Sequence, residues 1–552
     1  MGKIIEHRQC RNCNGPFVIT DWDIQYYKKI NVPYPTFCPD CRQQRRLSFR
    51  NERYLYHRKC DLCGNKMISI YHPRVDLKVY CPTCWWSDKW DPTEYGRDFD
   101  FSKPFFEQFA GLKKSVPHLS LYWRDNENAD YVNMSGYNKS CYLIFAADFN
   151  ENCLYSTQII KSKNCIDTLQ CFESEYCYEV TDVTKCYELF FSRNCRNCHS
   201  GMFLYDCRGC ADCLFCTNLR NKNFHIFNKP YSKETYGKLK QELIEKINNG
   251  ELKQLITQFK DLQTQAVHRN LEAQNNENST GNYLFDSKNC QQCFDLSYAE
   301  DCKYIYTGFR LKDMMDVCHA TDDELTYEGT SIGYNSYNVK FAIGSWTSHD
   351  VEYVDTASSC SDLFGCAGMK YKKHCILNKQ YSKEEYEALK SKIIEHMKSF
   401  TEYGEFFPSW ISPLAYNETL AQDYYPLTEE KVLFRKLSWR EKEETEYQPQ
   451  TFQVPKNIED VKDTIIQEML ACKHCGKNYK VNIHELKFYK KYLLPIPTSC
   501  PDCRHMDRLN ERPKRKLFDR DCMKCGAKVQ STFQQNSPEI IYCEKCYLEK
   551  VV

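Results

Sequence analysis

The sequence predicts a multi-domain chain, mainly β with short helices, in which two cysteine-rich modules flank a duplicated β-solenoid-like middle. Three observations lead there. Eight cysteines near the start recur near the end, each shifted by 462 residues. Between residues 131 and 229 a series of cysteines falls at steps that are all multiples of three. A helix signal that closes this stretch returns 150 residues later.

The terminal cysteines come first because their spacing is the most specific signal in the chain. Cys10, Cys13, Cys38, Cys41, Cys60, Cys63, Cys81 and Cys84 form four C-x2-C hooks. Cys472, Cys475, Cys500, Cys503, Cys522, Cys525, Cys543 and Cys546 repeat them with every gap preserved. Two such hooks supply four thiolates to one tetrahedral zinc ion, so four zinc ions are expected, two at each end. Sequential pairing places Cys10, Cys13, Cys38 and Cys41 on one ion and Cys60, Cys63, Cys81 and Cys84 on the next. A cross-brace would alternate the hooks. Sequential pairing is favoured because each half alone has the ligand separation of a ribbon. Four thiolates leave no open coordination position, so these ions are expected to stabilise folding and not to activate water.

The modules agree beyond cysteine. Tyr27, Lys28 and Lys29 return as Tyr489, Lys490 and Lys491, and Pro33, Pro35 and Thr36 as Pro495, Pro497 and Thr498. The second hook reads CPDCR in both copies, and its Pro39 or Pro501 suits the first turn of a helix. Gly64 and Gly526 follow the third hooks, where a free φ lets amides turn toward sulfur. On these residues, 10–46 and 472–508 resemble the probable zinc-ribbon family of bacterial proteins, a small treble-clef-like module with four cysteine ligands. Residues 60–84 and 522–546 look like an appended ribbon. The whole arrangement is similar to long, cysteine-rich, uncharacterised proteins predicted from the genomes of small uncultivated bacteria. The resemblance implies a fold and zinc binding, and no activity.

An arginine series follows each CPDCR. Arg42, Arg46, Arg50 and Arg53 lie at helical spacing, with Arg58 beyond, and Arg504, Arg508, Arg512, Arg515 and Arg520 are their counterparts. Such a basic face is a candidate for nucleic-acid phosphate. The competing expectation is internal bracing, with guanidinium groups bonded to carbonyls and to Asp40 or Asp502. The charge distribution is uneven although the net charge is only +1. Residues 1–60 carry 12 Lys/Arg against 5 Asp/Glu and residues 472–525 carry 14 against 6, whereas 125–220 carry 8 against 13.

In the middle, Cys141, Cys153, Cys165 and Cys177 are 12 apart, and Cys186, Cys195, Cys207 and Cys216 follow at steps of 9 or 12. Asn152, Asn164 and Asn194 precede cysteines, and short aromatic runs follow. Proline is absent from 131 to 229. This pattern predicts short strands stacked as a solenoid, with asparagine at left-handed corners and thiols in a narrow interior. Two steps would make a coil of roughly 18 to 24 residues. The even spacing of Cys207, Cys210, Cys213 and Cys216, near Cys195, Cys198 and His199, leaves an extra zinc or an iron–sulfur cluster as alternatives to packing. Glu173, Glu175 and Glu179 read as solvated edge residues. A helix is predicted after Ser232, and a second after Ser382 with a full capping box through Glu385.

The domain reading is 1–95 a double zinc module, 96–130 a linker, 131–229 a first repeat, 230–280 a helix and polar linker, 281–379 a second repeat, 380–400 a helix, 401–465 an extended connector and 466–552 a second double zinc module. No nucleotide loop, Ser/His/Asp spacing or HExxH motif is present, so catalysis in the solenoid groove is the least favoured class. No secretory signal and no long apolar run is seen, and C-x2-C hooks favour a reducing, cytoplasmic setting. The expected function is a zinc-stabilised binding or scaffold protein. It would contact nucleic acid or a ribonucleoprotein through the basic helices, or else serve protein–protein interaction alone. The two modules, being near-copies, are expected to pack pseudo-symmetrically against each other or a shared partner.

Overall fold

A computed structural model of the chain describes residues 2–441 and 446–551. The chain divides into two compact units, Met1–Leu121 with Leu271–Glu441 and Tyr122–Asn270 with Lys442–Val552. Strands predominate, with helices between and around them. Each unit joins one cysteine-rich module to one strand-rich repeat, and the pairing is crossed. The first module belongs with the second repeat and the second module with the first.

In the second unit, strands from Trp123–Arg124 to Asn223–Ile226 form a parallel sheet. Their register advances by a constant step: Asn133 faces Phe145, Phe145 faces Thr157, and Thr157 faces Leu169. The chain therefore returns to its own neighbour at every twelfth position, a shorter circuit than the cysteine steps suggested. The cause lies in the backbone. From Asp125 to Phe227 every third residue has a left-handed φ, for example Asn152 at 54°, Asn164 at 52° and Asn194 at 53°. Two extended residues and one left-handed residue make each bend, so one circuit contains four bends. A step of nine or twelve between cysteines is three or four of these triplets, which is why all steps divide by three. Left-handed backbone costs about 1 kcal/mol per non-glycine residue, so it persists only where the ladder hydrogen bonds and burial around it hold it.

The same triplet decides what lies inside. From Val132 to Cys216 the residue after each left-handed position is buried, as in the run Cys153, Ser156, Ile159, Ser162, Cys165, Thr168, Cys171, Ser174, Cys177. Small side chains fit this interior, and their polar atoms serve the backbone. Asn150 Nδ2 donates to Ile159 O at 3.0 Å while its Oδ1 accepts from Ser162 N at 2.9 Å. Cysteine S–H groups donate to carbonyls two residues back and nine ahead, as Cys165 does to Lys163 O (3.3 Å) and Ser174 O (3.5 Å). Outside, Phe191, Phe203, Phe215 and Phe227 stack with ring centroids 4.4–4.9 Å apart, one per circuit.

The first unit repeats this plan in residues 273–376, with two register changes. Ala273 faces Leu284 at an offset of 11, and Glu324 faces Tyr337 at 13. The second change follows from one extra residue, since Tyr334 and Asn335 are consecutive left-handed positions. It separates the two repeats' numbering by 149 residues before that point and 150 after it. Where the extra residue enters, a buried carboxyl replaces the small hydroxyl of the first repeat. Asp323 accepts from Ser336 N (2.9 Å) and Thr321 N (3.2 Å), as Ser174 Oγ accepts from Cys186 N (3.0 Å).

The helices fall where capping predicted. Lys233–Lys246 starts at Ser232, and Lys383–Ser399 starts at Ser382 with Glu385 completing the box. The segment 401–465 is not extended throughout: it contains short helical turns at Ser409–Ile411, Tyr416–Glu418, Leu420–Tyr424 and Glu429–Phe434. Its residues 442–445 lie outside the described residues.

Burial pushes the Asp323 carboxyl up to about 8, against the two amides that favour its charge. A carboxyl raised on folding keeps its proton in the native chain while the unfolded chain loses it, so its contribution to stability is present below about pH 4 and is lost as pH rises toward 8. Asp323→Asn abolishes this loss. Between pH 4 and pH 8 the wild type's unfolding free energy is expected to fall relative to the variant's by roughly 3–5 kcal/mol, read from denaturant titrations at each pH.

Candidate metal centres and their anchorage

The four predicted quartets are assembled in sequential pairing. Within Cys10/Cys13/Cys38/Cys41, Cys60/Cys63/Cys81/Cys84, Cys472/Cys475/Cys500/Cys503 and Cys522/Cys525/Cys543/Cys546, all sulfurs lie within 4.8 Å of one another. All of these cysteines are free thiols and none is in a disulfide. Each site is built alike. One hook sits in the turn of a small antiparallel hairpin, as between Ile4–Gln9 and Pro16–Thr20 or between Tyr56–Lys59 and Lys66–Ser69. The other hook opens a helix: Cys38 caps Pro39–Leu47, Cys81 caps Pro82–Trp86, and Cys500 caps Pro501–Glu511. The left-handed Asn14 (57°), Gly64 (75°), Gly476 (75°) and Gly526 (72°) close the hairpin turns.

In each quartet one sulfur is held low, Cys38, Cys60, Cys472 or Cys522, while a neighbouring thiol, Cys41, Cys84, Cys503 or Cys546, is pushed up. Cys38 N donates to Cys10 Sγ at 3.2 Å, Cys81 N to Cys60 Sγ at 3.3 Å and Cys543 N to Cys522 Sγ at 3.2 Å. Asn12 Nδ2 donates to Cys41 Sγ at 3.2 Å. The Cys41 thiol, donating to Cys38, lowers the latter to about 5. Burial works against ionisation of Cys60, but backbone N–H groups of Cys63, Cys81 and Leu62 bring it down to about 7. The same balance brings Cys472 and Cys522 to about 6. Four convergent sulfurs, amide donors and no disulfide fit a tetrahedral ion that prefers thiolate.

The arginines behind the hooks are buried. Arg42 and Arg46 lie in the Pro39–Leu47 helix, whereas Arg50 and Arg53 lie past its end. Arg42 makes two contacts to Asp316, from Nε at 2.9 Å and Nη2 at 2.8 Å, and donates to Phe37 O at 2.7 Å. Arg46 pairs with Glu328 at 2.7 Å and Asp316 at 3.3 Å. Arg45, which the spacing did not single out, bridges Glu328 (3.1 Å) and Glu405 (2.9 Å). Arg50 pairs with Glu52 (2.7 Å) and also donates to Ser331. Side-chain exposure is 2% for Arg42 and 0% for Arg46. Burial disfavours the charge on Arg42, but Asp316 outweighs it and holds the guanidinium well above its usual range.

The C-terminal module makes the same clasp on the first repeat. Arg504 lies 2.9 Å from Asp167, Arg508 pairs with Asp167 at 3.1 Å and Glu179 at 2.9 Å, and Arg512 pairs with Asp182 at 2.9 Å. Asp167, Glu179 and Asp182 precede Asp316, Glu328 and Ser331 by 149 residues each, the offset between the repeats. The aromatic contacts obey the same rule: Tyr27 meets Tyr327 and Tyr489 meets Tyr178, both at 5.5 Å. Arg42 lies over Tyr304 at 5.5 Å, and Arg504 over Tyr155 at 5.1 Å. Glu179 is thus an arginine acceptor, not a solvated edge residue, while Glu173 does pair with Lys185 at the surface (3.7 Å). The carboxylates that receive Arg42, Arg46, Arg504, Arg508 and Arg512 come from the sheets, whereas Arg45 and Arg50 also use Glu405 and Glu52 from loops.

Arg58 and Arg520 act within the second half of each module. Arg58 donates to Leu77 O and His72 O, and Arg520 to Gln534 O and Ser537 Oγ, tying a hairpin to its following loop. Arg53 and Arg515 are half-buried. Each module is also stitched by strand pairing, Val79–Tyr80 to His118–Leu119 and Ile540–Tyr542 to Val267–Arg269. Trp85 is fully buried and donates to Pro117 O at 3.3 Å, whereas Trp86 is exposed.

Sequence reasoning missed Asp316, Glu328, Asp167, Glu179 and Asp182 as anchors. The acidic bias of 125–220 was the trace of Asp167, Glu179 and Asp182, and the internal duplication would have led from these to Asp316 and Glu328. In the middle of the chain, Cys207, Cys210, Cys213 and Cys216 are all buried, with their S–H groups on carbonyls such as Tyr205 O and Leu214 O. Among the described residues the groups that bring three or more ligand atoms within 4.8 Å are the four quartets and one other, Cys165, Cys171 and Cys177. His199 is exposed.

No protein-family model matches the chain, and no curated protein matches it significantly.

Asp316→Ala leaves two buried guanidinium groups short of an acceptor. It is expected to cost about 3–5 kcal/mol in denaturant unfolding, while Asp40→Ala, an exposed charge at the start of the same helix, costs about 1 kcal/mol or less.

Proposed function

We propose that the protein is a zinc-stabilised interaction scaffold of a reducing, cytoplasmic compartment. Two treble-clef-like double modules, each holding two zinc ions, are clasped onto two four-cornered β-solenoids. The observation that carries this reading is the duplicated arginine–carboxylate clasp. Arg42 and Arg46 on Asp316 and Glu328, and Arg504 and Arg508 on Asp167 and Glu179, use the basic helix face inside the protein. A nucleic-acid-binding helix needs that face turned to phosphate. Zinc supports the scaffold by closing hairpin and helix into a unit too small to bury a core of its own. The quartets are complete with four thiolates, which favours a structural over a catalytic ion.

Two measurements test this. Elemental analysis of purified protein is expected to give four zinc per chain in the terminal quartets, and zinc-free folded protein contradicts the reading. In mobility-shift titrations with single- and double-stranded RNA and DNA, binding is expected to be absent or weak at low salt. Tight binding that falls steeply with added salt, and that Arg53→Ala or Arg515→Ala weakens, would favour a nucleic-acid partner over a protein scaffold.

A further inference from the structure

Cys165, Cys171 and Cys177 lie outside the terminal modules, yet their three sulfurs also lie within 4.8 Å of one another. All three are fully buried. Cys165 and Cys177 are one full circuit apart and so stack on neighbouring rungs, while Cys171 stands half a circuit away. The three sulfurs thus form a triangle spanning the narrow interior of the first repeat. Packing alone does not call for this triangle. The equivalent positions of the second repeat, 149 residues on, are Met314, Ala320 and Thr326, and all are buried there. The same backbone closes well around a thioether, a methyl and a hydroxyl.

We propose that Cys165, Cys171 and Cys177 form a trigonal thiolate site for a soft monovalent metal ion of the Cu(I) type. Cu(I) takes three sulfur ligands readily and favours thiolate over harder donors. Structural zinc closes its sites with a fourth nitrogen, sulfur or carboxylate ligand, and among the described residues none joins this triangle. Ser162 Oγ lies 3.8 Å from Cys171 Sγ and is itself bonded to Cys171 O at 3.1 Å. Each thiol that ligates gives its proton to solvent, and no oxidation is involved. The S–H groups of Cys165 and Cys177 donate to carbonyls, Lys163 O at 3.3 Å and Glu175 O at 3.5 Å, and ligation exchanges these weak bonds for bonds to the ion. In so short a circuit the site is closed by the strands themselves, so the ion is held once the sheet has formed.

The test unfolds full-length protein and refolds it with zinc and Cu(I) both present under anaerobic, reducing conditions, then challenges it with a competing Cu(I) chelator and measures both metals. Wild type is expected to retain one more copper per chain than Cys171→Ala, with zinc content equal in the two. X-ray absorption is expected to show three sulfurs around that copper, and a thiolate-to-copper band should appear in the ultraviolet. Cys216→Ala, in another part of the same interior, is expected to keep the copper. Ala320 in the second repeat shows that alanine is tolerated at the site of Cys171, and equal circular dichroism of the variants checks it. Equal copper in wild type and Cys171→Ala, or copper gained only as zinc is lost, overturns the proposal.

Discussion

The fold hangs on buried guanidinium–carboxylate pairs between a short helix that opens on a cysteine quartet and a parallel sheet. A quartet of thiols fixes the start of the helix, the helix aims two arginines one turn apart, and the sheet offers two carboxylates one circuit apart on adjacent rungs. Arg42 and Arg46 against Asp316 and Glu328 match this spacing, and so do Arg504 and Arg508 against Asp167 and Glu179. Desolvating such charges is costly, and their net contribution to stability is small compared with the penalty for breaking one partner away. Their value is in register. A sheet whose surface repeats with every circuit offers many near-equivalent docking positions, and only the rungs bearing the right carboxylates accept the arginines.

Quartet and clasp are therefore one device. The N–H groups that donate to Cys10, Cys60 and Cys522 come from the residues that begin the next hook, so closing the quartet orients the helix. Without four ligands drawn together, the short hairpins have little apolar surface to hold them. The second half of each module adds a strand pairing, Val79–Tyr80 with His118–Leu119 and Ile540–Tyr542 with Val267–Arg269, so each module is held at two places within its unit.

Much of this was legible in the chain. Hook spacing located the sixteen cysteines that the four quartets bring together, and their sequential grouping, because each quartet is local in sequence. The multiple-of-three rule exposed the triplet, and the asparagines at left-handed positions marked its corners. What the spacing did not yield was the length of the circuit. Cysteine occupies only some interior positions, since Ser156, Thr168 and Ile159 fill others equally well, so gaps between cysteines measure triplets and not turns. The clasp was hidden for a different reason. Arg42 and Asp316 are 274 residues apart, and the module grips the repeat that is farther along the chain. Only the joint offsets, 462 for the modules and 149 for the repeats, tie the two pairs together, and they become decisive once the contacts are known.

The most direct measurement is a double-mutant cycle on each clasp, Arg46→Met with Glu328→Gln and Arg508→Met with Glu179→Gln, read by denaturant unfolding. The account predicts a favourable coupling of about 1–3 kcal/mol at both. Coupling indistinguishable from zero at both would contradict it, because modules and sheets would then be held together by something other than these charges.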